Sequence, residues 1–298
     1  MADSLSCENL NQASPASGTG IICQDVAMKL RKTNVLVTGA SRGIGELIAR
    51  QMADKGAHVV LVARDADAIA TIAREIGGTA IACDLRNVSD IDRLVAQVES
   101  QVGHIDVLVN NAGVDSTGDF LTTDPQVWRD TVLLNLAATI DLSRRFLPGM
   151  VERRHGHVVN VTSIAAVAAF AGMATYAATK AGISQFTAGL RADLKGTNVG
   201  TTLVEISAVD TTMAQSVIAY PPTGAAADRM AKFGLLTFLK PHRVAYWTVR
   251  AVEKNKRHVR LPYRAWVLYA IAEIPRRMTE WLVAGVSARP ENYRKDID

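Results

Sequence analysis

Tyr176 and Lys180 are four residues apart, and Ser163 lies thirteen residues before the tyrosine. If the chain from Ala174 onward is helical, the phenol and the ammonium sit one turn apart on one face. An ammonium there favours the phenolate and draws the tyrosine pKa down from its reference near ~10. Such a tyrosine can act as a general acid or base near neutral pH. A serine hydroxyl beside it can donate to the oxygen of a bound substrate. Tyr-x-x-x-Lys also arises by chance, so this chemistry depends on what the rest of the chain supplies.

The elements that must hold these groups show as short apolar runs alternating with amphipathic stretches. Strands are predicted over 34–38, 58–63, 79–83, 106–110, 157–162, 199–206 and 258–261. Helices are predicted over 43–55, 66–76, 88–102, 124–150 and 174–195, with Pro125 in a first turn. Aromatic residues make up only 5% of the chain, while hydrophobic residues reach 48%. That balance suits parallel strands buried on both faces under small-residue helices. The reading is α/β: one doubly wound Rossmann-type domain with a parallel seven-stranded sheet over residues 31–262. Residues 1–30, rich in Ser, Asn, Gly and Gln, are expected to form a flexible tail.

The first strand runs into Thr38-Gly-Ala-Ser-Arg-Gly-Ile-Gly45. Glycines between a strand and a helix let backbone approach a pyrophosphate where free amides and the helix dipole favour anions. A glycine loop can also be a simple tight turn; its place after the first strand favours the nucleotide.

With these motifs in order, the chain resembles the short-chain dehydrogenase/reductase family. The resemblance rests on the glycine loop, Asp84, Asn110-Asn-Ala-Gly113, Asn135, Ser163, and Tyr176 with Lys180, and it is strong from about residue 32 to 213. It implies that Tyr176 exchanges a proton with the substrate oxygen and that Ser163 orients that oxygen. It implies that Lys180 tunes the tyrosine and binds the nicotinamide ribose. Asn135 would hold a water linking Lys180 to solvent. The implied cofactor contacts are Gly39, Ser41, Arg42, Gly43, Ile44, Gly45, Arg64, Asp84, Leu85, Asn111, Ala112, Gly113, Tyr176, Lys180, Val209 and Thr211. For Asp84, contact with adenine stands beside a simpler reading as a helix cap. No metal is expected.

An acidic residue ending the second strand would accept from a ribose 2′-hydroxyl and repel a 2′-phosphate. That position is Ala63, followed by Arg64, and Arg42 sits inside the glycine loop. Two guanidiniums suit a 2′-phosphate, so NADP(H) is expected, although Asp65 could still reach the ribose.

The run after Ser163, Ile-Ala-Ala-Val-Ala-Ala-Phe-Ala-Gly-Met173, is almost wholly apolar. In the resemblance it walls a substrate pocket, which implies a small hydrophobic ketone, aldehyde or alcohol and a place in lipid metabolism. The family's usual Pro-Gly after the sixth strand reads Ile206-Ser207 here. Residues 214–239 are expected to form a mobile lid broken at Pro221, Pro222 and Gly224.

Residues 263–298 are expected to be an amphipathic helical extension, with Trp266, Val267, Ala270, Ile271 and Ile274 at helical spacing. Between residues 240 and 277, ten Lys or Arg face two Glu, a local +8 in a chain of net +4. That segment could pack on the fold, pair subunits, cover the pocket or touch an anionic membrane. The net charge does not point to nucleic acid. With no stretch of eighteen uninterrupted apolar residues, no legible signal peptide and three isolated cysteines, a cytoplasmic setting is expected. A homodimer or homotetramer is implied by the resemblance. A non-catalytic NADP-binding sensor or membrane scaffold is the competing reading. The complete Ser163, Tyr176 and Lys180 set argues against it. An epimerase or dehydratase of the longer relatives fits poorly, because only about 85 residues follow Met213.

Overall fold

The computed structural model describes residues 28–232 and 237–262, together with Tyr269, Ile271 and Ile274. The expected tail over 1–30, save its last three residues, and most of the extension over 263–298 lie outside the described residues. Seven strands form one sheet: β1 Asn34–Thr38, β2 His58–Ala63, β3 Thr79–Ala82, β4 Val107–Asn110, β5 Gly156–Ser163, β6 Val199–Ile206 and β7 His258–Leu261. All neighbours are parallel, in the order β3-β2-β1-β4-β5-β6-β7. The order reverses between β1 and β4, and in open α/β sheets ligands bind in the crevice at such a switch point.

Side chains alternate across a strand, so a sheet covered on both sides needs apolar residues at every position. β1 shows this directly. Val35 and Val37 pack with Ile48 and Met52 of α1 (Gly43–Asp54) and with Val244 and Val249 of α9 (Pro241–Glu253). Leu36 faces the other way, into a second core with Leu94 of α3 (Val88–Gln101) and Leu142 and Met150 of α5 (Ala138–Glu152). Each such side chain, removed from water, contributes about 1.5–3 kcal/mol. Between β2 and β3, α2 (Ala66–Ile76) begins at Asp65, whose carboxylate accepts from Ala68 N at 3.0 Å.

Two expectations need correction, the continuous helix over 124–150 and the break at Gly224. The helix expected over 124–150 is α4 (Pro125–Val132), a π-helical turn over Leu133–Ala137, and α5. Asn135 sits in that turn, buried, with its side chain bonded to both main-chain groups of Val114, which accounts for its inward position.

Residues 214–232 of the expected lid fall in two helices, α7 (Thr212–Ala219) and α8 (Pro221–Lys232), which part at Pro221 as expected. Pro221 opens α8, where a missing N–H costs nothing. Gly224 does not break α8. A Cβ there would lie 2.7 Å from the Ile218 carbonyl oxygen, so glycine allows the two helices to approach.

The stripe expected after residue 263 is described only in part. Ile271 and Ile274 are exposed at 61% and 54%, whereas Tyr269, outside that stripe, is 1% exposed. Its ring fills a hollow formed by Ile164, Val167, Ala168, Phe170 and Met230. Trp266, Val267 and Ala270 lie outside the described residues, as does the question of a membrane-binding face. Among the described residues, no helix is long and apolar enough to cross a membrane.

Candidate active site

β5 delivers Ser163 at its end, and α6 (Ala174–Asp193) carries Tyr176 and Lys180 one turn apart against that strand. The serine and tyrosine border one cavity, and the Ser163 side chain acts on the Tyr176 phenol in the direction that favours its ionised form. Ser163 Oγ also accepts from Ala165 N at 3.2 Å, in the 3₁₀ turn Ile164–Ala166. Lys180 is 5% exposed. Its Nζ donates to the Val161 carbonyl oxygen at 3.2 Å and stands 5.6 Å from the centre of the Tyr176 ring.

The charges do not behave as the sequence suggests. Burial pushes the Tyr176 phenol up to about 12, against the Ser163 side chain, and Asp115 pushes it further the same way. Burial also lowers Lys180 to about 8, with no carboxylate to offset the lost hydration.

The two main-chain bonds from Asn135 to Val114 are 2.8 and 2.9 Å, and its Nδ2 also reaches Thr179 Oγ1 at 3.3 Å. The side chain is thus spent on positioning Val114. Gly113 lets that strand end approach closely: a Cβ there would lie 3.2 Å from Asn135 Oδ1 and 3.5 Å from Lys180 Nζ.

Across the switch point, the loops after β1 and β4 are stitched together. Thr38 Oγ1 accepts from Asn111 N and Ala112 N, both at 3.0 Å, and donates to the Val109 carbonyl oxygen at 3.2 Å. Asn111 Nδ2 donates back to the Thr38 carbonyl oxygen at 3.0 Å. Gly39 (φ 65°) and Gly43 (φ 63°) occupy the left-handed region, which glycine enters without strain. A Cβ on Gly45 would collide with the Gly39 carbonyl oxygen. The N-terminus of α1 is therefore a side-chain-free cradle beside Ser41 and Ile44, and it fits a pyrophosphate.

Arg42, just before α1, and Arg64, at the end of β2, are both exposed. Asp65 is occupied as the α2 cap. Asp84 is not a helix cap, since Asn87 holds that place before α3. Its carboxylate binds Arg86, at 3.0 Å to Nε and 2.6 Å to Nη2, and is held below the usual carboxylate range. Arg86 also reaches Asp130. Leu85 is buried in the core. Val209 is buried, and Thr211 Oγ1 accepts from Ala214 N at 3.4 Å to cap α7.

Beside Ser163 and Tyr176 opens a cavity of about 140 Å³, continuous with solvent. Ile164, Ala165, Phe170 and Met173 form one wall, as the apolar run after Ser163 suggests. The opposite wall comes from Met213, Ala214, Val217 and Ile218 of α7 and Thr223 and Ala227 of α8. From Ala214 onward that wall falls in the segment expected to be a lid, whereas sequence reasoning did not single out Asp115 beside Tyr176. The apolar positions of α7 were a usable signal. Nothing local marked Asp115 beyond its place after Asn110–Gly113.

An open parallel sheet with Ser163, Tyr176 and Lys180 at the carboxyl ends of its strands defines a doubly wound α/β fold. A family model of the short chain dehydrogenases matches residues 33–220, and the chain belongs to that family. The ketoacyl reductase HetN of Nostoc sp. is 41% identical over 175 residues, 57% of this chain and 61% of that protein. The 3-oxoacyl-[acyl-carrier-protein] reductase FabG of Vibrio cholerae is 30% identical over 238 residues, 76% of this chain and 98% of that one. A solved metagenomic short-chain oxidoreductase in complex with NADP has a TM-score of 0.64 and 31% identity. That match covers 78% of this chain and 97% of the other.

Proposed function

We propose that the protein interconverts a hydrophobic ketone or aldehyde and its alcohol, using NADP(H) and Tyr176 as the general acid or base. The observation that carries this reading is the Ser163–Tyr176 pair opening on an apolar cavity, with Lys180 buried against the tyrosine ring. Gly39, Gly43 and Gly45 would hold the pyrophosphate, and Arg42 and Arg64 the 2′-phosphate. The NADP-bound relative supports that choice. NADP(H), when bound, supplies or accepts the hydride.

In reduction the Tyr176 hydroxyl gives its proton to the substrate oxygen, and in oxidation it takes that proton back. Ser163 donates a hydrogen bond to the same oxygen where negative charge develops. Lys180 brings a positive charge to the tyrosine ring and has donors left for ribose hydroxyls. Asn135 acts through position, holding Val114 and with it the end of β4. A homodimer or homotetramer formed through α4, α5 and α6 belongs to the same reading. Exposed Trp128, Leu133 and Ile140 on the α4–α5 face support it.

Titration with NADPH and NADH, followed by turnover on aliphatic ketones and aldehydes, tests the proposal. NADPH oxidation coupled to carbonyl loss is expected. Tyr176→Phe should lower kcat by roughly 10²–10⁴-fold with NADPH affinity unchanged. Tight NADPH binding without turnover in either direction would instead make the protein a non-catalytic binder.

A further inference from the structure

The cavity holds few polar groups, and most are already committed. Thr223 Oγ1 donates to the Ala171 carbonyl oxygen at 2.7 Å, and Thr211 Oγ1 to that of Val209 at 3.2 Å. Ser163 Oγ accepts from Ala165 N at 3.2 Å. Ser207 differs. It borders the cavity, is 5% exposed, and its Oγ has no hydrogen-bond partner among the described residues.

Its backbone is fixed, because Ser207 N donates to the Leu261 carbonyl oxygen at 2.9 Å and extends the β6–β7 pairing by one step. The preceding residue, Ile206, is the register partner of Ser163 on the adjacent strand. Neighbouring strands run about 4.8 Å apart, so Ser207 lies one residue along from the neighbour of the serine that meets the reacting oxygen. Rotation about χ1, among three staggered wells, is the torsion that can turn Oγ toward a ligand. A buried hydroxyl with no partner is costly. A ligand oxygen arriving beside it removes that cost.

We propose that Ser207 is a specificity-determining residue whose hydroxyl donates to a second oxygen of the substrate, close to the reacting carbonyl. The site would then prefer ketones carrying a neighbouring ester, thioester or carboxyl oxygen over plain ketones of equal length. This rests on the oxidoreductase reading above and deepens it. A pocket built to bond a polar substituent discriminates strongly against analogues that lack it.

The test compares ethyl 3-oxohexanoate with 4-nonanone, which place the ketone identically in chains of the same length. Both are assayed with NADPH on wild type, Ser207→Ala and Ser207→Gly, with thermal melts to establish that each variant folds. Removing the hydroxyl should lower kcat/KM for the oxo ester by about tenfold and that for the ketone by less than twofold. NADPH affinity should be unchanged. Equal losses on both compounds, or none, overturn the assignment. A weaker NADPH Kd in the variants also overturns it, by moving the hydroxyl's partner to the cofactor. Wild type that reduces neither compound while binding NADPH overturns the reaction reading itself, and Ser207's role with it.

Discussion

Lys180 Nζ stands 5.6 Å from the centre of the Tyr176 ring while donating to the Val161 carbonyl oxygen at 3.2 Å, so it is anchored to β5 and set over the ring. Buried there, it is drawn down to about 8. Below that pH it is an ammonium that can donate to a cofactor hydroxyl; above it, the charge is lost. NADPH affinity should be flat up to about pH 8. It should then fall by up to about tenfold per pH unit, as expected when only the protonated form binds. Fluorescence titration between pH 6.5 and 9.5 measures this, and Lys180→Met should flatten the profile. A wild-type profile without a break near 8 would remove Lys180 from cofactor binding.

Arg42 and Arg64 are exposed on either side of the glycine loop, and the acidic residue next to Arg64, Asp65, is bound into the α2 cap. Arg64→Ala should therefore cut the preference for NADPH over NADH by on the order of tenfold to a hundredfold. The loss should appear in NADPH affinity, with NADH affinity little changed. Affinity for both cofactors dropping equally would mean that Arg64 supports the fold and not the 2′-phosphate.

His157 is fully buried, and its Nε2 lies 2.8 Å from Thr202 Oγ1, which itself donates to the Lys256 carbonyl oxygen at 2.7 Å. The threonine hydrogen is thus spent, and the imidazole carries its proton on Nε2. Burial, then Arg191, lowers the ring to about 3 from 6.5. Between those values the unfolded chain binds a proton that the folded one does not. Stability is therefore complete above pH 6.5 and lost as pH falls toward 3, approaching about 1.4 kcal/mol per pH unit. Denaturant midpoints at pH 7.5 and 5 should differ more for wild type than for His157→Gln. Equal differences would place the acid sensitivity elsewhere.

Tyr269 fills the hollow behind Ile164 and Phe170, yet its hydroxyl has no partner among the described residues. Tyr269→Phe should leave stability within about 1 kcal/mol or raise it, because it removes an unpaired polar group. Tyr269→Ala should cost about 3–5 kcal/mol, as for other large-to-small core changes, and raise KM by loosening the loop after Ser163. A Phe variant as damaged as the Ala variant would show that the hydroxyl is bonded after all.

The order of strands and helices, the glycine turn, and the placement of Ser163, Tyr176 and Lys180 could all be read from the chain. Each depends on local physics: apolar period, the backbone freedom of Gly39 and Gly43, and a one-turn spacing on α6. Tertiary packing decided the rest. Whether Lys180 meets the hydroxyl or the ring of Tyr176 depends on its bond to Val161, on a strand nineteen residues earlier in the chain. Asn135 stood out in the sequence, but its grip on Val114 required the π-helical turn. Gly224 read as a break because its sequence neighbours include two prolines; only the approach of Ile218 shows why a helix needs it there. Tyr269 and Ser207 acquire their surroundings from α8, β5 and β7, elements distant in sequence. Spacing along one helix or turn is a property of the chain; burial and bonding partners emerge only when distant segments meet.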